Sequence, residues 1–316
     1  MRRYQNSVFQ IHEAAIVYFD AVWRLGSIRA AARKLNVSSS AVNRQILKFE
    51  AALGTPLFDR IVGGLRLTAG GEIFARHAST VLQDFDRAAS EIDALLGLRR
   101  GHVEIATVEG LCADLLPEVI AKMRARHKGI TIGIGIFGIP DIPAAIIDGA
   151  VHMGVAFEVP HRAELRQLAR GKFTVGAIMR PNHPLANRRR LDLRICADYP
   201  LIVAKGNLAM RAQLEPMLTA LRANDCVAVE AGSLEIMKQL VMRDQGIAFQ
   251  TRVGLEKELL KGELVHVPLD DKTIVSQDLG IYVGANNPLP IAVAVFAQLV
   301  AEEISRREAR EPKQKR

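Results

Sequence analysis

The feature that most constrains this chain is a change of period close to residue 100. Before it, apolar residues recur at helical spacing with few interruptions. After "GLRRGH", short apolar runs alternate with helix-length stretches. One period marks helices packed through a stripe, the other an α/β sheet with crossovers. A single layer cannot satisfy both, and 316 residues are long for one domain. The chain should therefore fold as at least two units.

In the helical part, Ala15, Phe19, Val22 and Trp23 share one face of a helix that Gly26 ends. Ser27 reads as the cap of "IRAAARKL", whose stripe is Ile28, Ala31, Ala32 and Leu35. Ser38 caps a third helix with Val42, Ile46, Phe49 and Leu53 on its buried face. Its opposite face then carries Ser39, Ser40, Asn43 and Arg44. Small hydroxyls permit close approach, and Asn and Arg match adenine and guanine edges in a major groove. Two short helices joined by a tight turn, the second polar outside, make a helix-turn-helix over 28–47. A plain three-helix bundle with a solvated face is the other reading of these residues alone. "GTPLFDRIVGGLRLT" follows as a hairpin about Gly63-Gly64, a wing flanked by Arg60 and Arg66, which suit phosphates.

Residues 69–98 read as one long helix. Phe74, Ala78, Val81, Phe85, Ala88, Ile92 and Leu95 step alternately by four and three, and Leu82, Ala89 and Leu96 widen the stripe. A heptad stripe needs a partner helix, either a second copy of the chain or this chain's own later part.

Beyond it, "HVEIATV", "ITIGIGIF", "HMGVAFE", "KFTVGAIM", "PLIVA", "CVAVE", "GIAFQ", "LVHVPL" and "LGIYVGA" read as strands. "DLLPEVIAKMRARH", "PDIPAAIIDGA", "MRAQLEPMLTALRA", "SLEIMKQLVMRD", "GLEKELLKG" and "IAVAVFAQLVAEEI" read as helices. The alternation predicts mostly parallel sheets. Two such lobes joined by two crossing strands leave a cleft, a usual place for a small molecule.

Charge follows the same division. The net +8 is spread as +5 over residues 1–100, −1 over 101–305 and +4 over the last eleven. A basic module joined to a neutral one fits phosphate-backbone contact by the first and another task for the second. The basic tail reads as solvated. No run of eighteen apolar residues appears, and Gln10, His12 and Glu13 interrupt any leader-like core, so a cytoplasmic protein is expected. Cys112, Cys196 and Cys226 lie far apart and form no CxxC or Cys/His cluster, so they read as small buried hydrophobes. A redox pair between Cys196 and Cys226 is the other reading.

The stretch 21–72, "AVWRLGSIRAAARKLNVSSSAVNRQILKFEAALGTPLFDRIVGGLRLTAGGE", resembles the LysR-type transcriptional regulators. It carries their Gly-Ser, paired alanines, Leu-x-Val-Ser, Arg-Gln-Ile, Glu-x-x-Leu-Gly, Leu-Phe-x-Arg and Leu-Thr-x-x-Gly. "HPLA", "GIAF" and "KGELVHVPL" match the effector part more weakly, and the likeness spans 11 to about 305. The resemblance implies an α/β multidomain protein: an N-terminal winged helix-turn-helix (11–68), a long coiled-coil linker helix for dimerisation (69–100) and a two-lobed α/β effector domain like periplasmic binding proteins (101–305). Lobe I would be 101–173 with 277–305, lobe II 174–276, and 306–316 a basic tail. It also implies promoter DNA and self-association as partners, dimers and then tetramers, with RNA polymerase recruitment altered by a small-molecule effector. No cofactor and no metal are implied.

Carried over by position, the DNA-binding residues would be Ser38, Ser39, Ser40, Asn43, Arg44, Lys48, Arg60 and Arg66. Ser39, Ser40 and Asn43 depart from the residues usual in the family, so the preferred DNA sequence should differ. The cleft would be lined by Thr107, Glu109, Gly110, Gly138 and Ile139 from one lobe and Lys205, Asn207, Gln250 and Arg252 from the other. Free amides near residue 111 suit an anion, and Lys205 or Arg252 would hold a carboxylate. Glu109 opposes a simple anion. It fits an effector with both a carboxylate and a cationic or hydroxyl group, or else turns to solvent or pairs with an Arg. His152 stands where the family often has Asp, and reads as a backbone hydrogen-bonding group or a pH-sensitive one.

Two other functions are weighed on the α/β part. An enzyme lacks a phosphate loop, a GxGxxG after the first strand and a G-x-S-x-G elbow. A small-molecule-binding protein without DNA contact does not explain the basic helical module.

Overall fold

A computed structural model describes residues 13–62, 64–95, 100–205, 215–216, 218–219, 226–270, 276–285 and 288–311. Expectations for Gly63, Leu96, Asn207, most of the helix at 210–223 and residues 312–316 fall outside these, as does the side chain of Leu95. The chain forms two compact units, the first running to Ala89 and including Asp148–Ala150, the second comprising the rest.

The first unit opens with three helices, α1 (Glu13–Leu25), α2 (Ile28–Leu35) and α3 (Ser39–Leu53). Ser27 Oγ accepts from Ala30 N at 3.4 Å and Ser38 Oγ from Ala41 N at 3.2 Å, so each serine satisfies an amide its helix leaves open. The core joins Phe19, Val22, Ala31, Ala32, Val42, Ile46, Phe49 and Leu57. Phe19 and Phe49 each meet Phe74 edge-on, with ring centroids 4.8 Å apart.

The wing is an antiparallel pair, β1 (Phe58–Ile61) and β2 (Gly64–Leu67), in the register Phe58 to Leu67. Glu50 fixes where it starts: Oε1 accepts from Leu57 N at 2.7 Å and from Phe58 N at 3.2 Å. Thr68 Oγ1 donates to Pro56 O at 2.7 Å and accepts from Gly71 N at 3.0 Å, at the head of α4 (Ala69–Leu95). Gly71 lies so near the chain that a Cβ there would sit 2.1 Å from the Leu57 carbonyl oxygen. The heptad stripe of α4 divides. Ala78, with Phe74 and Leu82, packs on the three-helix core. Val81, Phe85 and Ile92 stay exposed at 37, 55 and 63%.

The second unit holds two five-stranded sheets. The first has the order β4-β3-β5-β12-β6, from β3 (Gly101–Thr107), β4 (Ile130–Ile136), β5 (Met153–Phe157), β6 (Leu165–Thr174) and β12 (Ser276–Gly284). The second has the order β11-β7-β10-β8-β9, from β7 (Gly176–Met179), β8 (Leu201–Ala204), β9 (Val227–Ala231), β10 (Ile247–Gln250) and β11 (Val265–Pro268). Each sheet is mixed rather than mostly parallel: β12 runs antiparallel to β5 and β6, and β7 to β10 and β11. The strands that cross between lobes cause this, because each re-enters a sheet from the far end. The sequence reading also missed residues 165–171 of β6, an edge strand on which Arg166, Gln167, Leu168 and Arg170 are exposed.

On the first lobe lie α5 (Leu115–Arg126), α6 (Ile142–Ile147) and α10 (Ile291–Glu308). On the second lie α7 (Leu193–Cys196), α8 (Leu234–Met242) and α9 (Glu256–Lys261). Each lobe has its own apolar core. None of the three cysteines is in a disulfide, and Cys196 is buried. His152 Nδ1 accepts from Glu104 N at 2.8 Å, the backbone role expected of it.

The C-terminal boundary needs correction. Residues 306 onward do not begin a solvated tail, since α10 runs on to Glu308. Arg307 is 7% exposed and donates to Glu303 at 2.7 Å, to Asp114 at 2.6 Å and to Glu256 of the second lobe. Glu308 and Glu311 accept from Lys172 N and Thr174 N, at 2.8 and 3.1 Å, and so hold the strand that leads into the crossing. A run of like charge looked solvated because, apart from Glu303 on the same helix, its acidic partners come from two distant segments, Asp114 with Glu118 and Glu256.

Candidate DNA-reading face and effector cleft

Helix α3 is positioned by its cap, its stripe and Glu50, and these leave one face uncovered. On it Ser39, Ser40, Arg44 and Lys48 are exposed, and Asn43 is half-buried. Arg60 and Arg66 are exposed on adjacent strands of the wing. Ser38 is occupied by the cap and lies 3.0 Å from Ser40 Oγ. Two apolar residues escaped the sequence reading. Leu47, 53% exposed, stands one turn beyond Asn43 and Arg44, and Val62 is fully exposed at the wing tip. Leu47 falls off the buried stripe, which was the available signal, and an apolar group on such a face suits a thymine methyl.

In the second unit a cavity of about 450 Å³ opens where the two lobes meet. Its walls are mostly apolar, with Ile136, Phe137, Ile139, Phe157 and Val253 prominent, and its polar groups are Glu109, Ser233, Gln250, Thr251 and Gln277. Five residues named from sequence line it: Glu109, Gly110, Gly138, Ile139 and Gln250. Thr107 does not, because it is wholly buried with Oγ1 donating to Val155 O at 2.9 Å. Lys205 is exposed, its amide donating to Ala231 O at 2.8 Å, and is not part of the wall.

Arg252 lies on a different cavity of about 530 Å³, with Asp114, Glu118, Glu256, Arg307 and Glu311 among its neighbours. Neither cation named for a carboxylate is therefore in the cleft wall. Strand β10 ends at Gln250 and the chain bends at Arg252, so Gln250 and Thr251 stay on the cleft side while Arg252 turns to the other cavity.

Glu109 is half-buried and, among the described residues, its partners are on the second lobe rather than an arginine. Its carboxylate accepts from Ser233 Oγ at 2.7 Å and from Leu234 N at 2.9 Å, at the first turn of α8. Ser233 Oγ in turn caps that helix, accepting from Ile236 N at 3.3 Å. An acid on lobe I thus completes the helix start on lobe II, where amides and the helix dipole favour negative charge. Close by, a Cβ at Gly254 would sit 2.4 Å from the Gly110 carbonyl oxygen, so the lobes touch backbone to backbone.

Behind Gln250, His266 Nε2 lies 3.0 Å from the Gln250 carbonyl, while His266 Nδ1 and Gln250 Oε1 are enclosed without protein partners. Burial, with the charge of Arg252 nearby, pushes the His266 imidazole down to about 4. In the second cavity, burial and the hydrogen bond and charge of Asp114 push the Glu256 carboxyl up to about 8, against the pull of Arg307. Burial would raise Glu303 as well, but Arg306, Arg307 and Lys122 hold it near 2.

A winged helix-turn-helix and a two-lobed cleft domain on one chain define a DNA-binding regulator with a substrate-binding domain. Two family models agree. Residues 14–72 match the bacterial regulatory helix-turn-helix protein of the lysR family, and residues 96–305 match the LysR substrate binding domain. The HTH-type transcriptional regulator CbbR of Rhodospirillum rubrum is 27% identical over 291 residues, 92% of this chain and 96% of that one. Among solved structures, full-length OxyR of Pseudomonas aeruginosa superposes with a TM-score of 0.70 at 17% identity, covering 91% of this chain and 96% of that one. Full-length CbnR, in complex with its target DNA, gives 0.59 at 17% identity, covering 93% and 100%.

The chain belongs to the LysR family of transcriptional regulators. It is a DNA-binding regulator rather than an enzyme. No helix among the described residues is long and apolar enough to cross a membrane.

Proposed function

We propose that α3 reads promoter DNA in the major groove, that copies of the chain pair through α4, and that a small molecule in the interlobe cleft modulates promoter binding. The observation that carries this reading is the outer face of a capped α3, where Ser39, Ser40, Arg44 and Lys48 are exposed and Asn43 is half-buried among them. Asn43 and Arg44 read base edges, while Lys48, Arg60 and Arg66 neutralise phosphates and fix register. The uncovered Val81, Phe85 and Ile92 supply the pairing surface. Dimers assemble into tetramers, act in the cytoplasm, and recruit RNA polymerase according to whether the cleft is filled.

The cleft has the volume and the apolar walls of a ligand site. Glu109, Gly110, Gly138, Ile139 and Gln250 contact the effector, and no cofactor is needed. Selection of bound fragments from random double-stranded DNA at physiological salt tests the reading. A two-fold symmetric motif is expected. Binding without enrichment, which vanishes as salt rises, would mean backbone contact only and would overturn it.

A further inference from the structure

We infer that the cleft takes an uncharged ligand offering a hydrogen-bond donor and disfavours carboxylates, because the chain's own Glu109 already occupies its anion-binding position. This rests on the cleft being the effector site. Among the described residues of the wall there is no Lys, Arg or His, and the one ionisable group is Glu109. The amide-rich start of α8, where an anionic ligand would otherwise dock, is filled by that carboxylate through Ser233 Oγ and Leu234 N.

An incoming carboxylate would leave water for apolar walls, find no countercharge among the described residues of the wall, and face the negative charge of Glu109. What the wall offers instead are the uncharged polar groups of Gln250 and Thr251. Gln250 Oε1 is enclosed without a protein partner. A buried acceptor lacking a partner favours a ligand hydroxyl or amide N–H that reaches it. Phe137, Ile139 and Phe157 fit an apolar body of modest size in about 450 Å³.

The test uses full-length protein and ligand-observed NMR with a fragment library balanced between uncharged, carboxylate and ammonium members. Cleft binding is defined by its loss in Ile139→Trp, which fills the cavity. Benzamide and benzoate serve as the size-matched pair. Cleft-dependent hits should come chiefly from the uncharged set, with benzamide ahead of benzoate. Glu109→Gln, whose amide oxygen can still accept from Leu234 N while its –NH2 donates to Ser233 Oγ, should tighten benzoate relative to benzamide by about tenfold. Gln250→Leu should weaken benzamide, a readout that holds should Ile139→Trp fold poorly.

Cleft-dependent hits that are mainly carboxylates in the wild type would overturn the inference while leaving the cleft as the effector site. Binding that neither Ile139→Trp nor Gln250→Leu alters, or no binding at all, would overturn the effector-cleft reading and this inference with it.

Discussion

Single side chains decide what this protein can recognise. Arg44 is exposed on α3 and suited to a guanine edge. Arg44→Ala should cost about 1–3 kcal/mol at one base position and relax preference there, measured by competition among single-base variants of a selected site. Equal weakening on every sequence would make it a phosphate contact.

His266 acts differently, through the proton it declines. Its imidazole is pushed down to about 4 by burial and Arg252, whereas an unfolded histidine titrates near 6.5. Between those values the unfolded chain holds more protons, so stability rises with pH. The contribution is complete above about 6.5 and lost as pH falls to about 4, up to about 3 kcal/mol. Urea midpoints for the wild type and His266→Gln across pH 4–7 check this. The variant should show a shallower fall on acidification, and identical slopes would refute it.

At the scale of elements, α4 does two jobs along one stripe. Its first turns close the three-helix core with Ala75 and Ala78, while Val81, Phe85 and Ile92 face outward. Three large apolar residues on one exposed helix face call for another helix. A Phe85→Glu, Ile92→Glu double variant should shift the species seen by analytical ultracentrifugation toward monomer while leaving the thermal transition of the helix-turn-helix close to that of the wild type. An unchanged sedimentation coefficient would place the pairing surface elsewhere. The heptad was legible from residue spacing alone. Its division was not, because spacing marks a stripe without saying which partner covers each turn.

Within the second unit, the contacts that join the two lobes belong to the molecule as a whole. Arg307 of α10 gathers Glu303 and Asp114 from its own lobe and Glu256 from the other. Replacing it takes a cation from the wholly buried Glu303 and from Asp114 and Glu256, which are 22 and 29% exposed, and this costs more than a surface pair would return. Arg307→Met should lower stability by about 3 kcal/mol, the lower end of the range for broken buried pairs, because Lys122 and Arg306 still hold Glu303. A urea titration measures this, and a loss below about 1 kcal/mol, the value of an exposed pair, would show the cluster to be a surface one.

The sequence by itself determined the parts: three helices, two of them serine-capped, a wing, a heptad helix and two α/β lobes, each written in local spacing and cap chemistry. Val42, Ile46 and Phe49 could be placed on the buried face of α3, and Asn43 and Arg44 on the other, because helical geometry fixes neighbours within a few residues. The cleft was read less well, since its walls come from segments more than a hundred residues apart. Glu109 was visible as an acid in a ligand loop, but its partners, Ser233 and Leu234, were not. Arg252 was visible as a cation beside Gln250, but not the side of the segment it takes. Only the tertiary structure decided these points, because pairing between distant groups depends on where the crossing strands set one lobe against the other, and no local period encodes that.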